Sequence, residues 1–464
     1  MTANRWRGDR NAGVLAGWRA GVPRLRSARG GEDAAWPAAV TAAFRSIGYA
    51  RAMTRSGVLL LIVLFTFPLL ARELVGGLPR AASLGAALRP AEGGVAIEAV
   101  GPGSAAEKMG LQRDDMVVSV DGAPIADAAA LVAAITKKRG GDAVAIVVRR
   151  GSETVTKEGT LNAAPLEKQA AYDIEYGSVD QRRTIVTRPR GAGRHPAVLL
   201  IGGIGCYSLD GILRPAEPRE PYAKLLDAWT RAGYVTMRVE KSGMGDSEGP
   251  PCADPRSDFD AEVRGFAAGV AKLESLEFVD QSNVFFFAHS IGPLVAARIA
   301  AEHPVRAIVV AETIGTSWLE YDLTNVRRQL LLLGLPYDEV DRRVRRHELC
   351  AHRFYIDKQA PDANCAREVE GPAPWTYMQQ LGSLDLAPLW KKIDAPVLIF
   401  YGTADFVTDA YQSRYLRDMI NAFHPGRATY VEIEGMEHGL TIGETFAQRL
   451  SDETLRFFNT NQAR

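Results

Sequence analysis

The sequence has no excess of charge of either sign: Lys+Arg and Asp+Glu each total 55, and no long single-sign run breaks the balance. Without a positive field it offers little to a polyphosphate or an anionic membrane surface, which argues against nucleic-acid binding. Cysteine is scarce at four residues, and no Cys-x-x-Cys or histidine cluster has the spacing that holds a metal. No metal and no cofactor are implied. Histidine is scarce too, at seven, which narrows any search for a general base. What is present is ordinary globular composition, 47% hydrophobic and 24% charged over 464 residues, enough for a large core and two or three domains.

Residues 1–52, rich in Arg, Ala and Gly, carry no sustained helical or strand period and are assigned no fold. Met53 reads as the true start. After the basic flank Met53-Thr54-Arg55-Ser56, the apolar run Gly57 to Ala71 falls short of the ~20 residues a bilayer-spanning helix needs and suits the core of a signal peptide. Leu69-Leu70-Ala71 lacks the small residue of a cleavage site, so residues 53–75 read as a signal peptide or an uncleaved N-terminal anchor, and Pro68 speaks against a buried core helix. The expected location is periplasmic or extracellular, with membrane contact only through this segment.

Residues 80–162 read as a small β-rich domain. Val95–Val100 and Asp115–Val120 are strand-like, the latter ending in an Asp121-Gly122 turn; Ser104–Leu111 and Ala126–Lys138 are helical, and Ala143–Gly151 with Val155–Leu161 forms a hairpin. On Pro102-Gly103-Ser104-Ala105-Ala106, Gly110-Leu111-Gln112-Arg113-Asp114-Asp115 and Val120-Asp121-Gly122-Ala123-Pro124-Ile125, this stretch resembles a PDZ domain of bacterial periplasmic type. The resemblance implies that Leu84, Gly85 and Ala86 cup the C-terminal carboxylate of a protein partner, the bound peptide extending the sheet. A domain kept only for packing within the chain is the alternative.

Residues 172–464 alternate short apolar strands with helices, the mark of an α/β fold with a mostly parallel sheet covered on both faces. An Arg-, Leu- and aromatic-rich insertion at about 317–381 would overhang the sheet as a lid. Within this region Val284–Ala288 is an apolar run that stops at His289-Ser290-Ile291-Gly292 and resumes as a helix. Small-x-Ser-x-Gly between strand and helix is the signature of a nucleophile elbow; a helix N-cap serine is the plainer reading. A serine hydroxyl needs a base and an acid to orient that base. His438, on the loop after the last strand, reaches the same sheet edge as Ser290, whereas His424 precedes that strand and lies at the opposite edge. Asp405 follows the strand before, with Asp409 as fallback.

Ser290, Asp405 and His438 in this order, with Gly202-Gly203-Ile204-Gly205 after an earlier strand and the Gly-rich loop Glu240–Gly249, make residues 172–464 resemble the α/β-hydrolase superfamily, with a lean toward serine aminopeptidase- and esterase-like members. The resemblance implies an oxyanion hole at Gly202–Gly205, with the N–H of Ile204 or Gly205 and that of Ile291 as donors. The loop departs from the family in placing Glu240 where Asp is usual. Cys206 with Cys252 and Cys350 with Cys365 are disulfide candidates suited to an exported enzyme, reduced buried thiols being the alternative. In the lid, Arg327-Arg328, Arg342-Arg343 and Arg345-Arg346 either read a substrate carboxylate or pair with nearby acids; Trp318, Tyr321, Trp375 and Tyr377 either line a pocket or pack the lid. The expectation is an exported serine hydrolase acting on a small-molecule or peptide substrate through an acyl-enzyme, peptide-like substrates slightly favoured. A carboxylesterase of small acyl esters and a non-catalytic PDZ adaptor are the alternatives.

Overall fold

Apolar strands of five to eleven residues from Tyr172 onward assemble into one eight-stranded sheet. In chain order they are β1 (Tyr172–Val179), β2 (Arg182–Pro189), β3 (His195–Ile201), β4 (Val235–Val239), β5 (Val279–His289), β6 (Ala307–Ala311), β7 (Val397–Gly402) and β8 (Ala428–Ile433). The spatial order is β1-β2-β4-β3-β5-β6-β7-β8, with only β2 running against its neighbours. This computed structural model describes residues 74–211, 219–369 and 371–463. The expectations for residues 1–52 and for the apolar run before Leu74 therefore lie outside the described residues.

A parallel sheet must bury both faces, and β3 to β7 do. Phe285, Phe286 and Phe287 are each fully buried, contributing about 2–3 kcal/mol apiece by removal from water. One face packs α1 (Arg219–Arg231) and the C-terminal helix, with Trp229 and Phe458 against Phe285 and Phe287. The other packs α2 (Phe259–Glu274), α3 (Gly292–Ala300) and the insertion. The insertion holds α4 (Trp318–Leu332), capped by Ser317, α5 (Tyr337–Ala351), a π-helical turn (His352–Ile356) and α6 (Trp375–Leu381). No helix among the described residues is long and apolar enough to cross a membrane.

Ahead of this sheet, Ala86–Ala91, Gly94–Val100, Met116–Val120, Ala143–Arg150 and Glu153–Thr160 form an antiparallel sheet in that order, with Ala123–Pro124 pairing on Met116–Val120. Helices Ala105–Lys108 and Ala128–Thr136 help enclose its own apolar core. Ala86–Ala91 and β1 carry no strong strand signal: the first is AALRPA with a proline, the second YDIEYGSV with charges and a glycine. Both are edge strands, where a proline or a charge is tolerated because one side of the ladder is unpaired.

Five of the six lid arginines take the pairing alternative, whereas Arg328 donates to Asn325 and to two backbone carbonyls. Arg342 meets Asp338 and Glu339, Arg343 meets Glu339, Arg345 and Arg327 meet Asp341, and Arg346 meets Glu368. The aromatics mostly pack: Trp318 Nε1 donates to Tyr355 Oη (2.9 Å), Tyr321 Oη donates to the Val407 carbonyl (2.9 Å), and Tyr377 stands edge-on to Phe259. Trp375 alone of the four is exposed.

Cys206 and Cys252 form a disulfide, as do Cys350 and Cys365, closing separations of 46 and 15 residues. By chain entropy these loops stabilise the fold by about 4 and about 3 kcal/mol. Alkylation of unfolded but unreduced protein is expected to modify none of the four cysteines, and prior reduction to expose all four; mass spectrometry reads the difference.

Candidate active site

The site begins with a close crossing. β5 ends at His289, Ser290 takes φ +62°, and α3 starts two residues later. A Cβ on Gly292 would lie 2.4 Å from the carbonyl oxygen of Ile201, so only glycine lets α3 pass this close to β3. Ala288 sits inside the ladder, paired with Ile201 and Val310, where a methyl group fits. The elbow is pinned by Ser290 N–H donating to the Ala311 carbonyl (2.9 Å) and by Thr313 Oγ1 donating to the Ser290 carbonyl (2.9 Å). A left-handed serine costs about 1–3 kcal/mol, so it persists only where such contacts over-determine it.

The loops after β7 and β8 bring two further groups to Ser290. His438 Nε2 lies 3.0 Å from Ser290 Oγ, and His438 Nδ1 lies 2.9 Å from Asp405 Oδ2. Asp405 also accepts from the N–H groups of Val407 (2.6 Å) and Thr408 (3.0 Å) and from Thr408 Oγ1 (2.6 Å). Burial opposes its charge, but His438 and these donors outweigh it and hold the carboxyl below the usual range. Asp409 instead caps the helix Ala410–Phe423 through Gln412 N–H, and His424 Nε2 faces the Lys391 carbonyl. α4 braces the acid loop, since Arg328 donates to the carbonyls of Asp405 (2.5 Å) and Phe406 (2.9 Å).

Glu312, directly after β6, carried no sequence signal. It is fully buried with φ +52°, and its carboxyl, Asp405 and His438 place atoms within 4.8 Å of one another. Burial, followed by the charge of Asp405, raises its pKa well above the usual value, opposite in direction to the shift of Asp405.

The glycine-rich turn after β3 lies against the serine: a Cβ on Gly203 would be 3.1 Å from Ser290 Cβ. Gly203 N–H donates to Tyr222 Oη (3.2 Å), so it is already committed, and its carbonyl accepts from Tyr207 Oη (2.9 Å) and Lys241 Nζ (2.8 Å). A trans peptide points its N–H opposite its C=O. Fixing the Gly203 carbonyl on two donors therefore aims the Ile204 N–H the other way and polarises it. Of the proposed donors in this loop, Ile204 and Gly205 thus keep free N–H groups among the described residues, as does Ile291 after the serine.

Three residues beyond the sequence reading tie these loops together. Because the His438 carbonyl can only accept, His289 Nε2 carries the proton donated to it (2.8 Å). His289 Nδ1 then accepts from Tyr222 Oη (2.5 Å), which in turn accepts from Gly203 N–H. Burial, with the nearby His438, lowers the His289 pKa to about 3 and keeps it neutral. His289 was visible only as the neighbour of Ser290; Tyr222 lies mid-helix, where nothing in a single sequence marks it. Lys241, the third, is held between Gly203 and Glu262 (3.2 Å). A cleft opens beside Gly205, lined by Lys241, Ser242, Phe266, Ala373 and Tyr377 among others.

Glu240, the departure from the usual aspartate, anchors the segment that follows the glycine-rich turn. Its Oε1 accepts from Ser208 Oγ (2.5 Å) and from the N–H groups of Leu209 and Asp210 (3.0 Å each).

A mostly parallel sheet presenting a hydroxyl, an imidazole and a carboxylate at the ends of its fifth, eighth and seventh strands defines an α/β-hydrolase. Residues 216–445 match the family model described as serine aminopeptidase, S33, and residues 82–160 match that of a PDZ domain. Residues 216–445 are thus α/β-hydrolase of this family type, with a PDZ domain in front. It is similar to the esterase EstD of Thermotoga maritima, at 23% identity over 240 residues covering 50% of this chain and 52% of EstD. It is also similar to NocK of Nocardia uniformis, at 35% identity over 100 residues covering 22% and 29% of the two chains. The chain thus spans about half the length of the first curated relative and under a third of the second. Among solved structures, Est1E of Butyrivibrio proteoclasticus with ferulic acid bound aligns at 17% identity and a TM-score of 0.44, covering 62% of this chain and 99% of Est1E.

Burial raises the Glu240 pKa from 4.5 to about 7 against the pull of its three donors. The folded state therefore binds this proton more tightly than the unfolded chain, and the resulting stability is complete below the unfolded value and lost as pH rises through about 7. Glu240→Gln keeps an accepting oxygen and cannot ionise. Its Tm is expected to fall less than that of the wild type between about pH 5 and about pH 8; parallel slopes in thermal melts would contradict this.

Proposed function

We propose that the chain is an exported serine hydrolase that cleaves a carboxylic ester through an acyl-enzyme on Ser290. The observation that carries the reading is the continuous line from Ser290 Oγ to His438 Nε2 (3.0 Å) and from His438 Nδ1 to Asp405 Oδ2 (2.9 Å). Ser290 Oγ attacks the carbonyl carbon as its proton passes to His438 Nε2; Asp405 holds the Nδ1–H and stabilises the imidazolium. The N–H groups of Ile204 and Ile291 receive the oxyanion, with Gly205 adjoining. Collapse of the tetrahedral intermediate expels the alcohol, which takes the proton from His438. Water then repeats the sequence and releases the acid, restoring Ser290.

Two observations favour an ester. EstD is named an esterase, and an aminopeptidase would need a carboxylate for the substrate's ammonium group, whereas those lining the cleft are engaged by the protein: Glu240 by Ser208 and two N–H groups, Asp258 by Ala261 N–H and Gln380, and Glu262 by Lys241. A peptide-like amide is the second reading, favoured by the PDZ domain. There Leu84, Gly85 and Ala86 would receive a partner's C-terminal carboxylate, and the strand Ala86–Ala91, paired only with Gly94–Val100 in its sheet, would take the peptide on its other edge. Export is supported by the two disulfides, which persist in oxidising compartments.

A fluorophosphonate probe is expected to label the wild type and not Ser290→Ala. Folded protein without Ser290-dependent labelling would favour the adaptor reading. p-Nitrophenyl esters are expected to turn over faster than aminoacyl p-nitroanilides; the reverse order would favour the peptide-like reading. If Glu312 donates its proton to Asp405, Glu312→Gln keeps a donor there and should hold kcat within about three-fold, whereas Glu312→Ala should lose about ten-fold, roughly 1.4 kcal/mol of barrier. Equal losses in the two variants would contradict that role.

A further inference from the structure

The oxyanion turn is held from outside the hydrolase sheet. Arg80, on the segment leading into the PDZ domain, is almost fully buried, as are Asp210, Asp246 and Arg183. Its Nη1 reaches Asp210 Oδ2 (2.5 Å) at the end of the oxyanion turn and Asp246 Oδ2 (2.9 Å) in the Gly-rich loop after β4. Nε and Nη2 of the same guanidinium donate to the carbonyls of Ala164 (3.1 Å) and Pro165 (2.6 Å), in the linker that leaves the PDZ domain. Ala81 N–H adds a bond to Asp246 Oδ1 (2.7 Å), and Arg183 on β2 pairs with Asp246 (2.9 Å) while donating to the carbonyls of Val75 and Leu78. One guanidinium thus joins both chain ends of the PDZ domain to the loops that follow β3 and β4.

The path from there to the reacting atoms is short. The Asp210 and Leu209 N–H groups sit on Glu240, and Arg238 donates to the Leu209 carbonyl (2.8 Å) while pairing with Glu167 of the linker (2.8 Å). Glu240 is followed by Lys241, which holds the Gly203 carbonyl and so the direction of the Ile204 N–H. Buried carboxylates that lose a shared cation repel one another and shift, because low dielectric leaves the repulsion unscreened. Surface charges at these positions would have no such reach. Four residues downstream of Arg80 the chain enters Leu84–Ala86, the loop read as the PDZ carboxylate site.

We propose that Arg80 is a positioning residue for the oxyanion turn, so that the segments flanking the PDZ domain form part of the hydrolase active site. The inference rests on the serine-hydrolase reading above. It gives the PDZ domain a place in catalysis that a freely tethered module would lack.

The test uses the full chain with Arg80→Lys, Arg80→Gln and Arg80→Met, each checked by thermal melting and assayed on a p-nitrophenyl ester below its melting range. In folded Arg80→Met, kcat is expected to fall at least about ten-fold with KM within about two-fold, the signature of a contact made in the transition state. Arg80→Lys, keeping a cation between Asp210 and Asp246, is expected to recover kcat to within about three-fold of the wild type. A folded Gln or Met variant with wild-type kcat overturns the inference, and so does a set in which no variant folds, since a purely structural role would then suffice. Wild-type protein without Ser290-dependent turnover fails differently: it overturns the serine-hydrolase reading and this inference with it.

Discussion

The crossing of α3 over β3 is the constraint from which the site follows. Gly292 passes the Ile201 carbonyl at a distance no side chain allows, and that approach forces Ser290 into a left-handed turn at the sheet's edge. The same approach sets Gly203 against the Ser290 side chain. Ser290 and the glycine-rich turn after β3 are thus positioned by one packing event between β3 and β5, neighbouring parallel strands buried on both faces over residues 197–201 and 284–289.

Around this crossing, rigidity comes from buried polar groups that are satisfied in pairs and chains rather than from apolar packing alone. Tyr222 and His289 link the Gly203 N–H to the His438 carbonyl, while Tyr207 and Lys241 hold the opposite end of the next peptide. Arg328 bonds the Asp405 loop from the insertion, and Arg80 and Arg238 bond Asp210 and Leu209 in the segment after the glycine-rich turn. All but the Tyr207 bond, which closes within the turn itself, cross between different elements of the chain. Removing one partner would leave a buried donor or charge unsatisfied, a cost of about 1–3 kcal/mol and more for an ion. Such a site is preorganised, and preorganised dipoles lower a barrier without reorganising during the reaction.

Much of this was legible in the residues. The strand–serine–helix pattern, Asp405 and His438 after later strands and the glycines after β3 all depend on local signals: apolar runs, turn residues and chain order. The preference for His438 over His424 and for Asp405 over Asp409 followed from which sheet edge each loop must reach; His438 and Asp405 lie in line with Ser290, while His424 faces the Lys391 carbonyl and Asp409 caps a helix. The two edge strands escaped because an unpaired edge does not demand strand-forming residues. Tyr222, Glu312 and Arg80 escaped because burial of a polar group is decided by partners far along the chain. Arg80 in particular reads as an ordinary surface cation until Asp210 and Asp246, more than a hundred residues away, close around it.

The most direct test is rapid-quench mass spectrometry of the full chain mixed with p-nitrophenyl acetate. The account predicts that a single acetyl group accumulates on the peptide containing Ser290 within the first turnover and is lost at the steady-state rate. Ester turnover with no adduct, or with the acetyl group on another residue, would contradict it.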